Sequence, residues 1–259
     1  MTMKTKILVA TQKKYETPYF GLYLPIQVGA EGNECIGYVR DNSGYNISYL
    51  NGNFCELTGA YWAWKNLKCE YVGLVHYRRY FKGGFRFGVN GRNKRILSEE
   101  ELDGMLKYTD ILLPKKRNYY IETLYSHYAH TTYAEPLDEA GRIIAEFYPA
   151  YSEEFEKLKT RRSAHMFNMF VMKKDVCDGY CAWLFDILFK IKERVDESAF
   201  DSFHARYLGR VSELLLDVYL NTNGLSYKEI GVTYTENVNW IKKIYYFLRS
   251  KFAQKKYHA

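Results

Sequence analysis

Cysteine is scarce in this chain, and long apolar runs are absent from it. The five cysteines among 259 residues are scattered and odd in number, without CxxC spacing, which argues against a disulfide framework or a zinc site. No stretch approaches the roughly 20 apolar residues that cross a bilayer. The first apolar run, residues 7–10, is shorter than the core of a secretory signal. We therefore expect a cytoplasmic protein in a reducing compartment.

Several motifs of common enzyme classes are also missing. The sequence contains no G-x-x-x-x-G-K-[ST] phosphate loop and no G-x-G-x-x-G dinucleotide fingerprint. It also lacks the G-x-S-x-G elbow of serine hydrolases. These absences argue against a kinase, a dehydrogenase and a serine hydrolase.

The chain is basic and rich in tyrosine. Its net charge of +7 favours an anionic partner, which could be nucleic acid, anionic lipid or a phosphorylated small molecule. The 26 tyrosines suit both core packing and the stacking of sugars or bases, so their number alone decides nothing. The lysines and arginines are spread along the chain and no nucleic-acid-binding module is present, so nucleic acid is not an expected partner.

Apolar periodicity predicts an α/β fold with a mostly parallel central sheet flanked by helices. Residues 6–10 (KILVA) and 71–75 (YVGLV) are typical of buried strands, and the apolar residues of 53–66 recur at helical spacing. Strand, helix and strand in this order form a βαβ unit. The other predicted elements are a loop at 82–95, a helix capped by Ser98 and Glu101, strands at 110–113 and 166–172, and helices at 122–156 (broken near Pro136 and Pro149), 175–194 and 212–221.

Polar side chains follow several of these strands. Ligands of open α/β sheets bind beyond the carboxyl ends of the strands, so these side chains are candidates for a nucleotide site. Arginine suits a diphosphate because it matches phosphate oxygens bidentately and keeps its charge. Alternation along a strand lets at most one of two adjacent arginines face the ligand. The candidates are Thr11, Asp41, Asn42, His76, Arg78, Arg79 and Asn168.

A resemblance to a known family rests on strings that span about residues 5–235. They include KILVATQKKY, RDNSGYNIS, NGNFCELTGAYWAWKN, YVGLVHYRRYF, HMFNMFVMKK and SELLLDVYL, in this order. Together they resemble a family of bacterial capsular and exopolysaccharide glycosyltransferases, long catalogued as a domain of unknown function. The resemblance implies a GT-A-like nucleotide-diphospho-sugar transferase fold and a UDP-sugar donor, with galactofuranose as a candidate sugar. It also assigns Thr11, Asp41 and Asn42 to the nucleotide region.

The resemblance has one informative departure. His76 to Arg79 stand where many GT-A enzymes carry an acidic DxD motif that binds a divalent cation. A hard cation requires oxygen ligands, and His-Tyr-Arg-Arg supplies none from its side chains. We expect no metal ligands and no firm cofactor, with the cationic side chains neutralising the departing diphosphate instead. A divalent metal bound without a DxD motif is the alternative that the sequence leaves open.

Glu213 is the candidate catalytic base of an inverting transfer. Such a reaction needs a carboxylate that removes the proton of the acceptor hydroxyl. A helix starting at Ser212 would place Glu213 in its first turn, where the helix dipole favours an anion. An ordinary first-turn glutamate is almost equally consistent with the sequence, and Asp217 is a second candidate. Relatives carry Arg after this glutamate, whereas Leu214 follows it here.

Two further residues are candidates for contact with the acceptor or with phosphate, namely His165 and Asn168. A structural histidine bonded within a loop is as consistent with the position of His165. The resemblance implies a polyprenyl-diphosphate-linked glycan as the acceptor. A protein of a polysaccharide-assembly locus that binds nucleotide-sugar without catalysis is the alternative, favoured by the missing DxD motif and by Leu214.

The chain is predicted to hold a transferase domain in residues 1–238 and a basic amphipathic helix in residues 239–259. The second segment interleaves aromatic and aliphatic residues with lysine and arginine. Such a helix suits the surface of an anionic membrane and predicts peripheral contact with the inner face of the cytoplasmic membrane. A helix packed on the domain with a solvated basic face is equally consistent.

Overall fold

The computed structural model describes residues 3–18, 21–89 and 91–236. Thirteen strands and eight α-helices lie in these residues. The strands are β1 (Met3–Thr11), β2 (Tyr23–Gln27), β3 (Val39–Arg40), β4 (Cys69–His76), β5 (Arg79–Phe81), β6 (Phe85–Val89), β7 (Arg92–Ile96), β8 (Ile111–Pro114), β9 (Arg117–Asn118), β10 (Ser163–Ala164), β11 (Phe170–Lys173), β12 (Lys228–Ile230) and β13 (Val232–Tyr234). The helices are α1 (Asn51–Phe54), α2 (Leu57–Asn66), α3 (Glu99–Leu106), α4 (Leu124–Thr131), α5 (Glu135–Phe147), α6 (Ser152–Thr160), α7 (Lys174–Arg194) and α8 (Tyr207–Thr222).

The central sheet has the order β12-β8-β11-β4-β1-β2-β3. Strands β4, β1, β2 and β3 are parallel to one another, and β12 is parallel to β8. Strand β11 is antiparallel to both of its neighbours, β4 and β8. The carboxyl ends of β1, β2, β4 and β8 therefore meet at one edge of the sheet. The predicted α/β architecture with a mostly parallel sheet is confirmed.

Both faces of the sheet are covered, which explains why its strands are nearly continuous apolar runs. Leu8 and Ala10 of β1 pack into one core with α2, α5, α7 and α8. Ile7 and Val9 point to the other face and pack with α3 and with the hairpin formed by β6 and β7. The alternation in β1 thus divides its side chains between two hydrophobic cores.

The hairpin replaces a segment that the sequence predicts as a loop. Residues 82–95 are rich in glycine and arginine, but Phe87 and Val89 of β6 and Ile96 of β7 are buried in the second core. Arg86 and Arg95 are paired with each other on the other, exposed face of the hairpin. One buried face is sufficient to order this short ribbon.

Several helix boundaries also differ from the predicted ones. The predicted helix at 53–66 is broken at Cys55, which adopts a φ of 53°. The predicted helix at 122–156 consists of α4, α5 and α6, and Pro136 lies in the first turn of α5, where proline is tolerated. The predicted capping box at Ser98 and Glu101 is confirmed at the start of α3.

The predicted C-terminal helix lies outside the residues that the structure describes. Within those residues, no helix combines the length and the apolar character that crossing a membrane requires.

Candidate active site

A polar cavity of about 540 Å³ opens at the carboxyl ends of β1 and β2. Gln12 follows β1 directly, and its Nε2 donates a hydrogen bond to Asn51 Oδ1 at 2.6 Å. Gly29 lies on the opposite wall with a φ of 64°, and a Cβ there would fall 2.6 Å from Asn51 Oδ1. Glycine is therefore required for this wall to close against Asn51. The lining residues are Gln12, Gln27, Val28, Gly29, Glu31, Gly32, Asn33, Ser48, Tyr49, Asn51 and Gly52.

Asp41 lies behind this cavity instead of lining it. Its side chain is fully buried, and its carboxylate accepts hydrogen bonds from the backbone N–H of Gly29 (2.8 Å) and Ala30 (2.9 Å). It also accepts from the hydroxyls of Ser48 and Thr58. A buried carboxylate with four donors is stable as an anion and fixes the groups that donate to it. Asp41 therefore holds the cavity wall in place. Its carboxylate is buried behind that wall and does not contact the cavity.

Thr11 and Asn42 are also placed next to the cavity. The Thr11 hydroxyl is buried and donates to the carbonyl of Lys13, which holds the turn after β1. Asn42 Nδ2 donates to Glu31 Oε2 at 3.3 Å, and Glu31 lines the cavity. The predicted nucleotide region is therefore brought together at one edge, although Gln12 and Asn51 form the cavity surface.

Cationic side chains collect beside the end of β4. Burial, together with the charges of Arg79, Arg78 and Arg206, lowers the pKa of His76 to about 3. His76 is therefore neutral at physiological pH, and its Nδ1 accepts a hydrogen bond from the backbone N–H of Arg78 at 3.3 Å. Three guanidinium groups around a neutral histidine favour the binding of an anion.

The two adjacent arginines differ in their surroundings. Arg78 is exposed, and its Nε lies 3.2 Å from Glu236 Oε2 in an ion pair. The guanidinium of Arg79 stacks 4.3 Å above the ring of Phe167. Arg79 Nε is buried and has no hydrogen-bond partner within the described parts of the chain. Arg79 is the better placed of the two to meet an anion at this edge.

Glu213 lies within the same group of charges. Burial, and after it the charge of the nearby Glu56 carboxylate, raise the pKa of its carboxyl, which is about 7 in the folded protein. Arg79, the backbone N–H of Phe167 and Arg117 act in the opposite direction. A carboxyl that titrates near neutral pH is suited to accept a proton from a hydroxyl.

The helical position of Glu213 differs from the predicted one. Helix α8 begins at Tyr207, so Glu213 lies beyond its first turn and the dipole of the helix start does not explain its role. Ser212 is not a cap, because it lies inside α8 and its hydroxyl is within 2.8 Å of two acceptors, the carbonyl of Gly209 and Asn168 Oδ1, to either of which it can donate its proton.

The loop before β11 is bent by two residues in the left-handed region. Phe167 has a φ of 80° and Asn168 a φ of 51°. Asn168 Nδ2 donates to Glu56 Oε1 at 2.9 Å and to the carbonyl of Gly209 at 3.0 Å. Asn168 is buried, and its side chain is hydrogen-bonded to protein groups. It links Glu56 to α8 and does not face a ligand. Strain of this kind persists only where the surroundings enforce it.

His165 is also occupied by protein groups. Its Nδ1 lies 2.5 Å from Asp217 Oδ1, and its Nε2 lies 3.0 Å from Glu229 Oε1. Burial by itself raises the pKa of Asp217, but the hydrogen bonds and charge of His165 outweigh it and leave that pKa below its usual value. The predicted contact of His165 with an acceptor stays a prediction, and these hydrogen bonds do not favour it. Asp217 is bonded to His165 and is not free to act as a base.

The residues at the end of β4 do not fit a divalent cation. The side chains of His76, Arg78 and Arg79 carry no oxygen ligand, and the charges of the two arginines repel a metal ion. Among the described residues, no group of three or more His, Cys, Asp or Glu side chains is arranged to hold a metal.

The sheet and its carboxyl edge define the class of fold. A mostly parallel sheet in which β11 and β5 run antiparallel to β4, covered by helices and open at its carboxyl edge, is a GT-A-like fold. The chain belongs to the family described as "Domain of unknown function (DUF4422)", whose model matches residues 6–224.

A solved structure supports this assignment. The chain is similar to the apo structure of the WbbM bifunctional glycosyltransferase, with a TM-score of 0.81 and 28% sequence identity. The likeness covers 90% of this chain and 46% of that one, so this chain spans about half the length of the protein it resembles. No curated protein matches the sequence.

Sequence reasoning did not assign roles to Glu56, Arg206 or Arg117. Glu56 follows the break at Cys55, and Arg206 reaches Cys55 Sγ from beyond α7, at 3.2 Å. Glu56 lies within the NGNFCELTGAYWAWKN string, but nothing in that string points to Glu213. The packing of α1 against α8 places Glu56 and Arg206 close to Glu213. The position of Gln12 directly after a buried strand would have allowed its place in the site to be predicted.

Proposed function

We propose that this protein is an inverting glycosyltransferase that transfers a hexose from a UDP-sugar to a lipid-linked capsular or exopolysaccharide acceptor. One observation carries the proposal: a polar cavity, a cationic group and a carboxyl with a pKa of about 7 share the carboxyl edge of one sheet. The similarity to a glycosyltransferase structure supports the class of reaction.

The donor would occupy the cavity and the cationic group together. Gln12, Asn51 and the backbone around Gly29 offer hydrogen-bonding groups to a base and ribose. Ala10 of β1 is paired with His76 of β4, so the cavity and the cations are on neighbouring strands. The diphosphate would lie against Arg79 and His76. The charge of Arg79 and the N–H groups of both side chains would stabilise it as it leaves.

Glu213 would act as the general base. It accepts the proton of the acceptor hydroxyl while that oxygen forms a bond to the anomeric carbon. The bond from the anomeric carbon to the β-phosphate oxygen breaks, and UDP leaves with the electron pair. Attack opposite to the leaving group inverts the anomeric configuration. A pKa near 7 leaves much of Glu213 ionised at neutral pH and still basic enough to take the proton.

The donor and acceptor follow from the resemblance of the sequence to polysaccharide glycosyltransferases. UDP-galactofuranose is the first donor to test, and a polyprenyl-diphosphate-linked glycan is the acceptor class. We also propose that the transfer needs no metal ion, because guanidinium groups stand where a cation would bridge the diphosphate. Loss of turnover in EDTA and its recovery with Mn²⁺ or Mg²⁺ would overturn the last point.

The test compares binding with turnover. UDP and UDP-hexoses should raise the Tm of the wild type and of Glu213→Gln alike, whereas oligonucleotides should not. Donor hydrolysis or transfer should occur in the wild type, fall at least about 100-fold in Glu213→Gln, and stay normal in Glu193→Gln, which changes an exposed acid of α7. Stabilisation by UDP without turnover of any donor would instead indicate a nucleotide-sugar-binding protein without catalysis.

A further inference from the structure

The loop that follows β8 exposes apolar side chains next to a cluster of cations. Its sequence from residue 115 to 121 is KKRNYYI, with three cations and no acid. Tyr120 is 75% exposed and Ile121 is 52% exposed. Strand β8 is antiparallel to β11, which is antiparallel to β4. This loop therefore lies at the same edge of the sheet as His76 and the cavity.

The tip of this loop has a fixed shape. Tyr120 has a φ of 52°, and its N–H donates to Asn118 Oδ1 at 2.8 Å. Arg162 Nη1 donates to the Tyr120 carbonyl at 2.9 Å, and the Arg162 carbonyl accepts from the N–H of Tyr119 at 2.8 Å. A non-glycine residue keeps a left-handed conformation only where its neighbours hold it there. The exposure of Tyr120 is thus built into the loop.

The surface around the tip is positively charged. Lys115, Lys116, Arg117 and Arg162 are all exposed. Within the described ranges, none of the four has a carboxylate partner at ion-pair distance. The acid nearest in sequence, Glu122, is buried and lies against His127 and His130.

We propose that this tip, residues 115–121 with Arg162, docks on the surface of an anionic lipid bilayer. Lysine and arginine next to an anionic surface each strengthen binding, and tyrosine is favoured at the level of the lipid headgroups. The exposed Ile121 side chain favours a bilayer over a nucleic acid as the partner. An aliphatic side chain cannot stack on a base, but it gains from insertion at the boundary of the acyl chains.

The position of the tip suggests what membrane docking would do for catalysis. This part of the proposal, unlike the docking itself, rests on the proposed function. Arg117 lies close enough to Glu213 to lower the pKa of that carboxyl. A bilayer held at residues 120 and 121 would therefore lie on the side of the site where the base acts. A lipid-linked acceptor would reach Glu213 without leaving the membrane.

The test measures binding of the full chain to phosphatidylcholine vesicles with and without phosphatidylglycerol. Three variants leave residues 237–259 unchanged. Lys115→Gln/Lys116→Gln should weaken binding to the anionic vesicles about 30-fold, and Tyr120→Ser/Ile121→Ser about tenfold. The control Lys107→Gln/Tyr108→Ser should bind like the wild type, because Tyr108 is 87% exposed but precedes β8 at the opposite edge. Unchanged Tm values would establish that all three variants fold.

Vesicle binding and transfer are separate readouts. Tyr120→Ser/Ile121→Ser should transfer sugar normally to a water-soluble acceptor and poorly to a lipid-linked one. Absence of transfer in every variant would reject the proposed function, while the vesicle affinities would still test the tip. Unchanged affinity in both loop variants, an equal loss in the control, or tighter loop-dependent binding to an RNA oligonucleotide would each overturn the proposal.

Discussion

The side-chain amide of Asn168 donates a hydrogen bond to Glu56 Oε1 over 2.9 Å. Glu56 thereby remains close enough to Glu213 to raise the pKa of that second carboxyl. Asn168 reaches Glu56 only because Phe167 and Asn168 are both left-handed. Burial is the main cause of the raised pKa of Glu213, and the loop adds to it by holding Glu56 nearby.

Glu56→Gln should lower the pKa of Glu213, because it removes a like charge but keeps an oxygen that accepts from Asn168. The reaction needs ionised Glu213, so kcat/KM rises with pH and levels off above a midpoint near 7 in the wild type. In the variant this midpoint should move to a lower pH by a fraction of a unit. A pH profile of kcat/KM checks this, and an unmoved midpoint would contradict the proximity of the two acids.

Arg79→Gln should have the opposite effect on the same profile. The Arg79 charge lowers the pKa of Glu213, so its loss should move the midpoint to higher pH. Affinity for UDP should also fall by about 10-fold to 100-fold, the usual cost of losing a hydrogen bond from a charged group. Isothermal titration with UDP measures this second effect.

Arg78→Gln is the matched control, because Arg78 is exposed and already paired with Glu236. It should change the affinity for UDP by less than about threefold. A larger loss in Arg78→Gln than in Arg79→Gln would reverse the roles assigned to the two arginines.

Glu213→Gln should stabilise the protein at alkaline pH. The pKa of Glu213 is raised to about 7 in the folded protein, above the ordinary value of 4.5. The folded state therefore binds more protons between these values, and the free energy of unfolding falls as pH rises through this window. Glutamine does not titrate, so its advantage should grow by about 1 to 2 kcal/mol from pH 5 to pH 8. Urea unfolding at both pH values checks this, and a constant difference would contradict the raised pKa.

The sheet could be predicted from the sequence because both of its faces are buried. Residues such as Ile7 and Leu8 then form continuous apolar runs with polar turns at their ends. The strand ends also indicated the edge of the sheet at which the polar cavity opens. The direct contacts could not be predicted, because Gln12 and Asn51 meet across 39 residues of sequence.

The neighbourhood of Glu213 illustrates what local patterns miss. Ser212 has the sequence signature of a helix cap, yet α8 begins at Tyr207 and no side chain caps it. The strand predicted at 166–172 begins only at Phe170, because Phe167 and Asn168 are left-handed without being glycine. Both departures result from tertiary hydrogen bonds through Asn168, which no single segment encodes.

Asp41→Asn should loosen the wall of the cavity. The Asp41 carboxylate accepts from two backbone N–H groups and two hydroxyls, all of them donors. An asparagine amide would place its own N–H₂ against at least one N–H that it cannot accept, and the buried charge would be lost. We expect a loss of about 3 kcal/mol in the free energy of unfolding, together with weaker UDP binding because Gly29 and Ser48 line the cavity.

Asn42→Ala, which removes one partly exposed hydrogen bond to Glu31, should cost less than about 1 kcal/mol. Urea unfolding of both variants compares them directly. Equal losses would show that the cavity wall does not depend on Asp41.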